Sequence, residues 1–268
     1  MFAGYARSAD YAGNETRVAA GSGSGILVSQ GVVVQTLKLR VPAAMTAKLY
    51  NWILVEGFAS LVSLIVIHGA KLEEMYRLEI HDARISEITL PDLHASGETT
   101  PVTFDVTVSM RDARHVFAGK GRKMPAFAGK SQALTTNAFQ MFIQGYESIA
   151  PRIVSVGSIG RIQPVPGADQ RAEKQPVVPK PMSVSLDVDA ARPLMEWCDS
   201  AARGSVGEKP GLINLFGPEG KVQASIDLIG LFPRRVTSPF PGTSGELPLV
   251  EVVLESREQR YNFKSLVV

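Results

Sequence analysis

The sequence has a single cysteine and a small net charge, and both features narrow the classes of protein that it can encode. With only Cys198, no disulfide can form within the chain, so a disulfide-stapled domain is excluded. Cys198 falls on the apolar stripe of a predicted helix, which is typical of a small buried side chain and not of a nucleophile. Aromatic residues make up 7% of the chain, and its formal net charge is only +2. That charge is too small for the concentrated basic footprint of a general nucleic-acid-binding protein.

Histidines are also few, and none stands in a metal-ligand or catalytic spacing. No pair lies four residues apart on a predicted helix, and none is next to a second histidine or cysteine; the four are His68, His81, His94 and His115. Ser96 and Ser244 lie in predicted turns without the glycine-flanked nucleophile motif. A surface or structural role is therefore favoured for all of them.

The sequence also lacks a complete phosphate-binding loop motif. Gly129-Lys130-Ser131 resembles the end of a Walker A motif, but Met124 stands where that motif needs glycine. Gly21-x-Gly23 lacks the third glycine of a dinucleotide loop, and no helical pattern follows it. The sequence thus predicts no catalytic residue, no cofactor-binding residue and no metal ligand, and we expect that the protein is not an enzyme.

No uninterrupted apolar run is long enough for a convincing membrane span. The most hydrophobic window, Leu49 to Ile67, has the length of a span, but Glu56-Gly57 interrupts it. A helix followed by a buried strand explains the window better. The first residues, Met1 to Tyr5, show neither a basic region nor an apolar core of a secretory signal. We therefore expect synthesis and folding in the cytoplasm, with no membrane partner.

What the sequence does contain is an internal repeat. Tyr76 to Val108 predicts two strands joined by a proline corner and a Ser-Gly-Glu turn, and Ala224 to Ser256 has the same plan. The same distance of 148 residues separates Pro91 from Pro239 and Gly97 from Gly245. A fixed offset of this kind indicates two copies of one structural unit.

The repeat extends towards the N-terminus of each unit. Leu64 to Gly69 matches Leu212 to Gly217 at the same offset. Before these strands lie two amphipathic helical patterns with a tryptophan on the apolar stripe, Pro42 to Glu56 with Trp52 and Asp189 to Arg203 with Trp197. Alternating strands precede the helices, at residues 37–41 and 182–186. Both tryptophans are predicted to anchor a core.

The predicted fold is therefore α+β and mainly β, with two tandem copies of a β-sandwich or barrel-like domain and one packed helix in each copy. We place the first domain at residues 1–117, including a flexible glycine-rich N-terminal arm. A basic loop, a candidate helix and a proline-rich linker or arm occupy residues 118–180, and the second domain occupies residues 181–268.

Several segments outside the repeat carry their own predictions. Residues 111–130 are basic and are either a solvated loop, which is favoured, or a phosphate-binding patch. Residues 131–148 are either a short helix or a long arm, and residues 153–162 predict one strand. Five prolines within residues 163–181 exclude a central strand and favour a linker or an extended surface arm. The tail at residues 261–264 predicts an added edge strand.

The repeated plan resembles the tail-tube family of contractile phage tails and related injection systems, including type VI secretion tubes. The resemblance rests on the order strand, helix, strand, and on the path from Tyr76-Arg77-Leu78-Glu79-Ile80 through Ala83-Arg84-Ile85-Ser86 to Pro91-Asp92-Leu93-His94-Ala95-Ser96 and a closing strand. Copy two departs from it at Pro239-Phe240-Pro241-Gly242. The chain also carries two domains, where an ordinary tube subunit has one.

The resemblance implies a structural protein that forms a ring or tube, through which DNA or protein effectors pass. It implies a homo-oligomer, either a pseudo-hexameric ring of three chains or a hexameric ring, with neighbouring tube, sheath or baseplate proteins as partners in a virion tail or injection particle. A baseplate hub or tube-initiator ring is an alternative of the same class. A soluble ligand-binding module or enzyme built on a duplicated β domain is the alternative of another class, and a deep polar pocket would favour it.

Overall fold

The two repeated units fold into two large antiparallel sheets. In this computed structural model the described residues are 8–11, 16–20, 27–32, 35–43, 59–68, 73–97, 99–110, 112–117, 134–163, 176–205, 207–237 and 249–263. The strands in chain order are β1 (Ser8–Tyr11), β2 (Thr16–Ala20), β3 (Leu27–Val32), β4 (Gln35–Pro42), β5 (Ala59–His68), β6 (Glu73–Thr89), β7 (Leu93–His94), β8 (Thr103–Met110), β9 (Asp112–Phe117), β10 (Phe139–Ile143), β11 (Ile153–Gly157), β12 (Gly160–Ile162), β13 (Val178–Pro179), β14 (Met182–Asp187), β15 (Lys209–Phe216), β16 (Val222–Thr237) and β17 (Leu249–Phe263).

The first sheet is ordered β1-β4-β8-β6-β12-β13, with β5 and β9 also paired to β6. The second sheet is ordered β10-β15-β16-β17-β14-β11-β7. A separate two-stranded sheet pairs β2 with β3. The mainly β architecture that the sequence predicts is therefore confirmed.

Alternation of apolar and polar residues sets which face of each strand is buried. In β8 the side chains of Phe104, Val106 and Val108 are buried, and those of Asp105 and Thr107 face outwards, as the sequence predicts. In β14 Met182, Val184 and Leu186 are buried in the same alternating way. The buried residues of both sheets belong to one hydrophobic cluster.

The helix of copy two, α1 (Val188–Ala202), packs on the buried face of the second sheet against β14, β16 and β17. Asp187 caps its N-terminus, because its side chain accepts a hydrogen bond from the Ala190 N–H at 2.9 Å. Leu194 and Trp197 are buried on the predicted stripe, which confirms Trp197 as a core anchor, and Cys198 is half-buried there. Of the helix predicted for copy one, Pro42 to Glu56 with Trp52, residues 44–56 lie outside the described residues, and Pro42 is the last residue of β4.

Several predictions about the segments outside the repeat are wrong. Residues 134–148 contain no helix of the predicted register; they form β10, a turn and the start of a short 3-10 helix at Glu147–Arg152. Met141 and Ile143 alternate inwards there because β10 pairs with β15, and this period-two pattern overrides the helical spacing. Residues 112–117 of the supposed basic loop are strand β9 paired with β6, and residues 118–133 lie outside the described part.

Two further corrections concern the ends of the chain. The N-terminal arm contains β1, β2 and β3, so glycine-rich composition hid strands that pair with β4 or with each other. Residues 21–25 of that arm lie outside the described residues. Tyr261 to Phe263 do not form a separate added strand; they are the end of β17 and pair there with Ala224 to Ile226 of β16. The proline-rich segment behaves as expected where it is described, because β13 ends the first sheet.

Candidate assembly interface

The two copies have the same strand order. In copy one the order is β4-β8-β6-β5, and in copy two it is β14-β17-β16-β15, antiparallel throughout. The pairing of β6 with β8 is irregular between Ile85 and Glu87, and that of β16 with β17 between Pro233 and Arg235. These two bulges are 148 residues apart, so positions of β6 and β16 can be compared one by one.

The outer edge of β6 in copy one is covered by the segment between the copies. β12 pairs with β6, with Gly160 opposite Thr89. The Leu90 N–H donates to the Ile159 carbonyl at 2.8 Å, and the Gln163 N–H donates to the Ser86 carbonyl at 2.7 Å. The edge of β6 therefore has hydrogen-bonded neighbours on both sides.

Gly160 lets the two backbones approach. A Cβ atom at this position would lie 2.5 Å from the Ile88 carbonyl oxygen and 3.0 Å from the Thr89 Cα. Both are backbone atoms, which cannot rotate out of the way. The contact between β12 and β6 at this position thus requires glycine.

The chain changes sheets just before Gly160. β11 pairs with β14 in the second sheet and, on its other side, with β7 of copy one. Ser158 then turns with a φ of 60°, an unusual conformation for a residue other than glycine, and its N–H donates to the Asp92 side chain at 3.2 Å. β12 follows in the first sheet. The single strand predicted for residues 153–162 is therefore two strands in two sheets.

Side-chain contacts also hold the segment that joins the two copies against each of them. The buried Arg161 donates to the Gln259 carbonyl of β17, and Lys180 forms an ion pair with Glu87 of β6. The rings of Phe104 in β8 and Tyr261 in β17 lie with centroids 6.2 Å apart. Copy one therefore contacts copy two directly and through the segment that joins them.

The equivalent edge of copy two has no second neighbouring strand in the part of the chain that the structure describes. Among the described residues, the only strand that pairs with Phe232–Thr237 is β17, so their other side has no strand beside it. Arg84 of copy one is 5% exposed, but Phe232 at the equivalent position is 37% exposed. Ser86 is buried, but the equivalent Arg234 is exposed. The two edges also differ in pairing, since β12 covers the one in copy one and no described strand covers the other.

A second edge differs between the copies. In copy two, β10 covers the outer side of β15. In copy one, β5 is the strand equivalent to β15, and it pairs only with β6 among the described strands. β5 reads ASLVSLIVIH, with no proline, glycine, lysine, arginine, aspartate or glutamate. Long apolar edge strands without such residues readily pair with another chain. This edge is thus suited to association.

Among the described residues, the exposed charges do not form a binding site for a charged ligand. Many exposed charges are paired: Arg40 with Asp105 at 3.1 Å, Arg114 with Glu79 at 2.9 Å and Arg257 with Glu208 at 2.8 Å. Exposed pairs of this kind add little stability because water and salt screen them. Arg114, part of the predicted basic segment, is therefore held by a carboxylate.

Around α1 the charges act locally. The N–H of Ala190 and the Arg152 guanidinium hydrogen-bond the Asp187 carboxylate, and they hold its pKa below the usual value. Burial raises the pKa of the Cys198 thiol. The Lys209 ammonium lies 4.9 Å from the centre of the Tyr146 ring, and Tyr146 packs against Trp197 with centroids 5.6 Å apart. These contacts fasten the 3-10 helix to α1.

The structure does not bring the sequence's polar candidates together into a reactive site. His94 and His115 are exposed on separate strands, and His115 packs on the Tyr76 ring with centroids 5.9 Å apart. Ser96 is exposed in the turn after β7, and Ser244 lies outside the described residues. Within the described ranges no three histidine, cysteine, aspartate or glutamate residues form a group that could hold a metal ion. None of the helices in that part is long and apolar enough to cross a membrane.

The residues that matter at the junction were missed by sequence reasoning. The sequence predicts Gly160 and Arg161 as part of an ordinary strand and Gln163 as the start of the proline-rich linker, because each residue alone is unremarkable in sequence. The dipeptide Gly157-Ser158 is a turn signal that could have divided the strand. That Arg161 faces the other copy depends on tertiary structure alone.

No family model matches the chain, and no curated protein matches it. Among solved structures, it is similar to a chain in the cryo-EM structure of the anti-feeding prophage (AFP) baseplate, 6-fold symmetrised, with 14% sequence identity and a TM-score of 0.33. The match covers 53% of this chain and 98% of that chain. The likeness is weak, so the open edges described above are what bears on the role of the protein.

Proposed function

We propose that this protein is a structural component of a phage tail or contractile injection system, and that it assembles into a ring or tube that serves as a conduit for DNA or protein effectors. In this role it acts by association with copies of itself and with neighbouring tube, sheath or baseplate proteins. It uses no cofactor and carries out no reaction.

One observation supports this proposal above all: an edge that copy one covers within the chain has no covering strand in copy two among the described residues. An open β edge offers unpaired N–H and C=O groups to another chain. Because the copies share their strand order, a third unit placed after copy two would repeat the contact that copy two makes with copy one. Such head-to-tail contacts close into a ring when the rotation between units is right.

The resemblance of the repeated plan to tail-tube proteins supports the same role. Two domains per chain then favour a pseudo-hexameric ring of three chains, although six chains per ring obey the same contact rule. A soluble binding module or enzyme gains no support from the described residues, since their polar candidates lie apart.

Negative-stain electron microscopy combined with light scattering tests this function. We expect rings with a central hole, alone or stacked into tubes, and a mass that is three times the chain's 28.9 kDa. A mass of six chains would retain the ring but change its stoichiometry. Single rings that never stack would indicate a hub or initiator. A monomer that persists at high concentration and with tail partners present would refute the proposal.

A further inference from the structure

We propose that the β2–β3 hairpin of one chain docks on the Phe232–Thr237 edge of β16 in a second copy, and so joins neighbouring chains. This inference rests on the proposed ring-forming function and names the surfaces that form the contact. It follows from comparing the segments that precede the two copies, residues 8–32 and residues 153–179.

The first strands of these segments are equivalent. β1 pairs antiparallel with β4, with Ala9 opposite Leu39. β11 pairs antiparallel with β14, with Val156 opposite Val184. β4 and β14 are the first strands of the two copies, so β1 and β11 occupy the same place beside them.

The next strands are also equivalent. After β11 come β12 and β13, which pair antiparallel with each other. After β1 come β2 and β3, which also pair antiparallel with each other. Each segment therefore supplies one strand beside its own copy and then an antiparallel strand pair, before the chain enters that copy.

The two strand pairs differ in their surroundings. β12 adds the pair β12–β13 to β6 of the preceding unit, copy one. The pair β2–β3 forms a sheet of its own, with no third strand among the described residues. An isolated two-stranded sheet is marginally stable in water, so pairing with a further strand would stabilise it.

The preceding unit for β2–β3 is copy two of another chain. Its equivalent of the β12-binding edge is Phe232–Thr237, which is open in the described structure. Phe232 and Leu249 are among the large apolar side chains that remain exposed, at 37% each. The β2–β3 hairpin thus corresponds to the pair β12–β13, and the Phe232–Thr237 edge corresponds to the edge of β6 that β12 covers. Among the described residues, neither the hairpin nor this edge has a further strand paired with it.

The outer side of β1 agrees with this arrangement. β11 carries β7 of the preceding unit on its outer side, whereas β1 pairs with β4 alone among the described strands. A neighbouring copy two placed against β2 would therefore also lie beside β1. β1 and β2 would then contact the same neighbouring unit, just as β11 and β12 both pair with strands of copy one.

Cysteine cross-linking tests the contact. Within the chain Gly160, the first residue of β12, faces Thr89, and between chains the nearest corresponding positions are Thr16, the first residue of β2, and Thr237, which is 148 residues after Thr89. In a Cys198→Ser background, a chain with Thr16→Cys is co-expressed with a differently tagged chain carrying Thr237→Cys, and a short bismaleimide is added. The control pairs Thr16→Cys with Thr89→Cys, because Thr89 already has Gly160 opposite it.

We expect cross-linked dimers of the two tags, roughly tenfold more than in the control, because docking raises the effective concentration of the two thiols. Labelling each single variant with a biotin maleimide verifies that its thiol can react. Circular dichroism and electron microscopy verify that the variants fold and form rings.

The remaining outcomes separate the two proposals. Rings without cross-links between the tags would overturn the hairpin contact but leave the ring function standing. A cross-link confined to single chains, in a variant that carries both cysteines, would show that the hairpin docks on its own copy two and would also overturn the contact. Absence of both rings and cross-links would overturn both proposals.

Discussion

Replacing Gly160 by alanine should open the junction between the two copies. The added Cβ would sit 2.5 Å from the Ile88 carbonyl oxygen and 3.0 Å from the Thr89 Cα, so β12 must move away from β6. The hydrogen bonds on either side, Leu90 N–H to Ile159 at 2.8 Å and Gln163 N–H to Ser86 at 2.7 Å, would then stretch or break.

The size of the effect can be worked out in two ways. Loss of these two hydrogen bonds costs about 2 kcal/mol at roughly 1 kcal/mol each. An added methyl group in a packed site costs about 1–3 kcal/mol. We therefore expect Gly160→Ala to lower the free energy of unfolding by about 2 kcal/mol, which corresponds to a fall in Tm of about 4–8 °C for a chain of this size.

Urea and thermal unfolding, followed by circular dichroism, measure this change. Gly207→Ala is the matched control, because a Cβ atom there has nothing within 4 Å and its φ is not in the left-handed region. We expect the control to stay within about 0.5 kcal/mol of the parent chain. If Gly160→Ala behaved like the control, β12 would not be held against β6 and the comparison of the two edges would fail.

Two other predictions concern α1. Asp187→Ala removes the N-terminal cap and the ion pair with Arg152, and should cost about 1 kcal/mol in urea unfolding at neutral pH. Since the pKa of Asp187 is lowered in the folded chain, its contribution to stability is present above the unfolded pKa and is lost as the pH falls through the folded pKa. Equal stabilities of the parent chain and the variant at neutral pH would contradict this prediction. Cys198, half-buried with a raised pKa, should react with a thiol reagent more slowly in the folded chain than in urea, and equal rates would contradict its placement.

The repeat was readable from sequence because it is carried by local patterns. Alternation in β8 and β14, the helical stripe of α1 with Trp197, and the corner at Pro91 each depend on neighbours a few residues away. Such periodicities report which face of an element is buried. The absence of metal-ligand and nucleophile spacings was visible in the same local way, and it remains a prediction about the whole chain.

The secondary structure of the segment between the copies could not be predicted from local patterns. Spacing in residues 131–148 fits a helix, but β15 offers an edge that β10 pairs with, and that edge is distant in sequence. Residues 153–162 look like one strand until Ser158 turns the chain from one sheet into the other. Pairing between distant strands, and not local propensity, decides such segments.

The sequence by itself determined that the chain contains one structural unit twice, since matching residues recur in it at a constant spacing of 148 positions. Only the tertiary structure decided that the two units are not equal. β12 covers the edge of β6 in copy one, where Arg84 and Ser86 are buried, while Phe232 and Arg234 are exposed in copy two. The physical reason is that an edge is covered or open according to which distant strand reaches it, and no pattern within the edge strand itself records its neighbour.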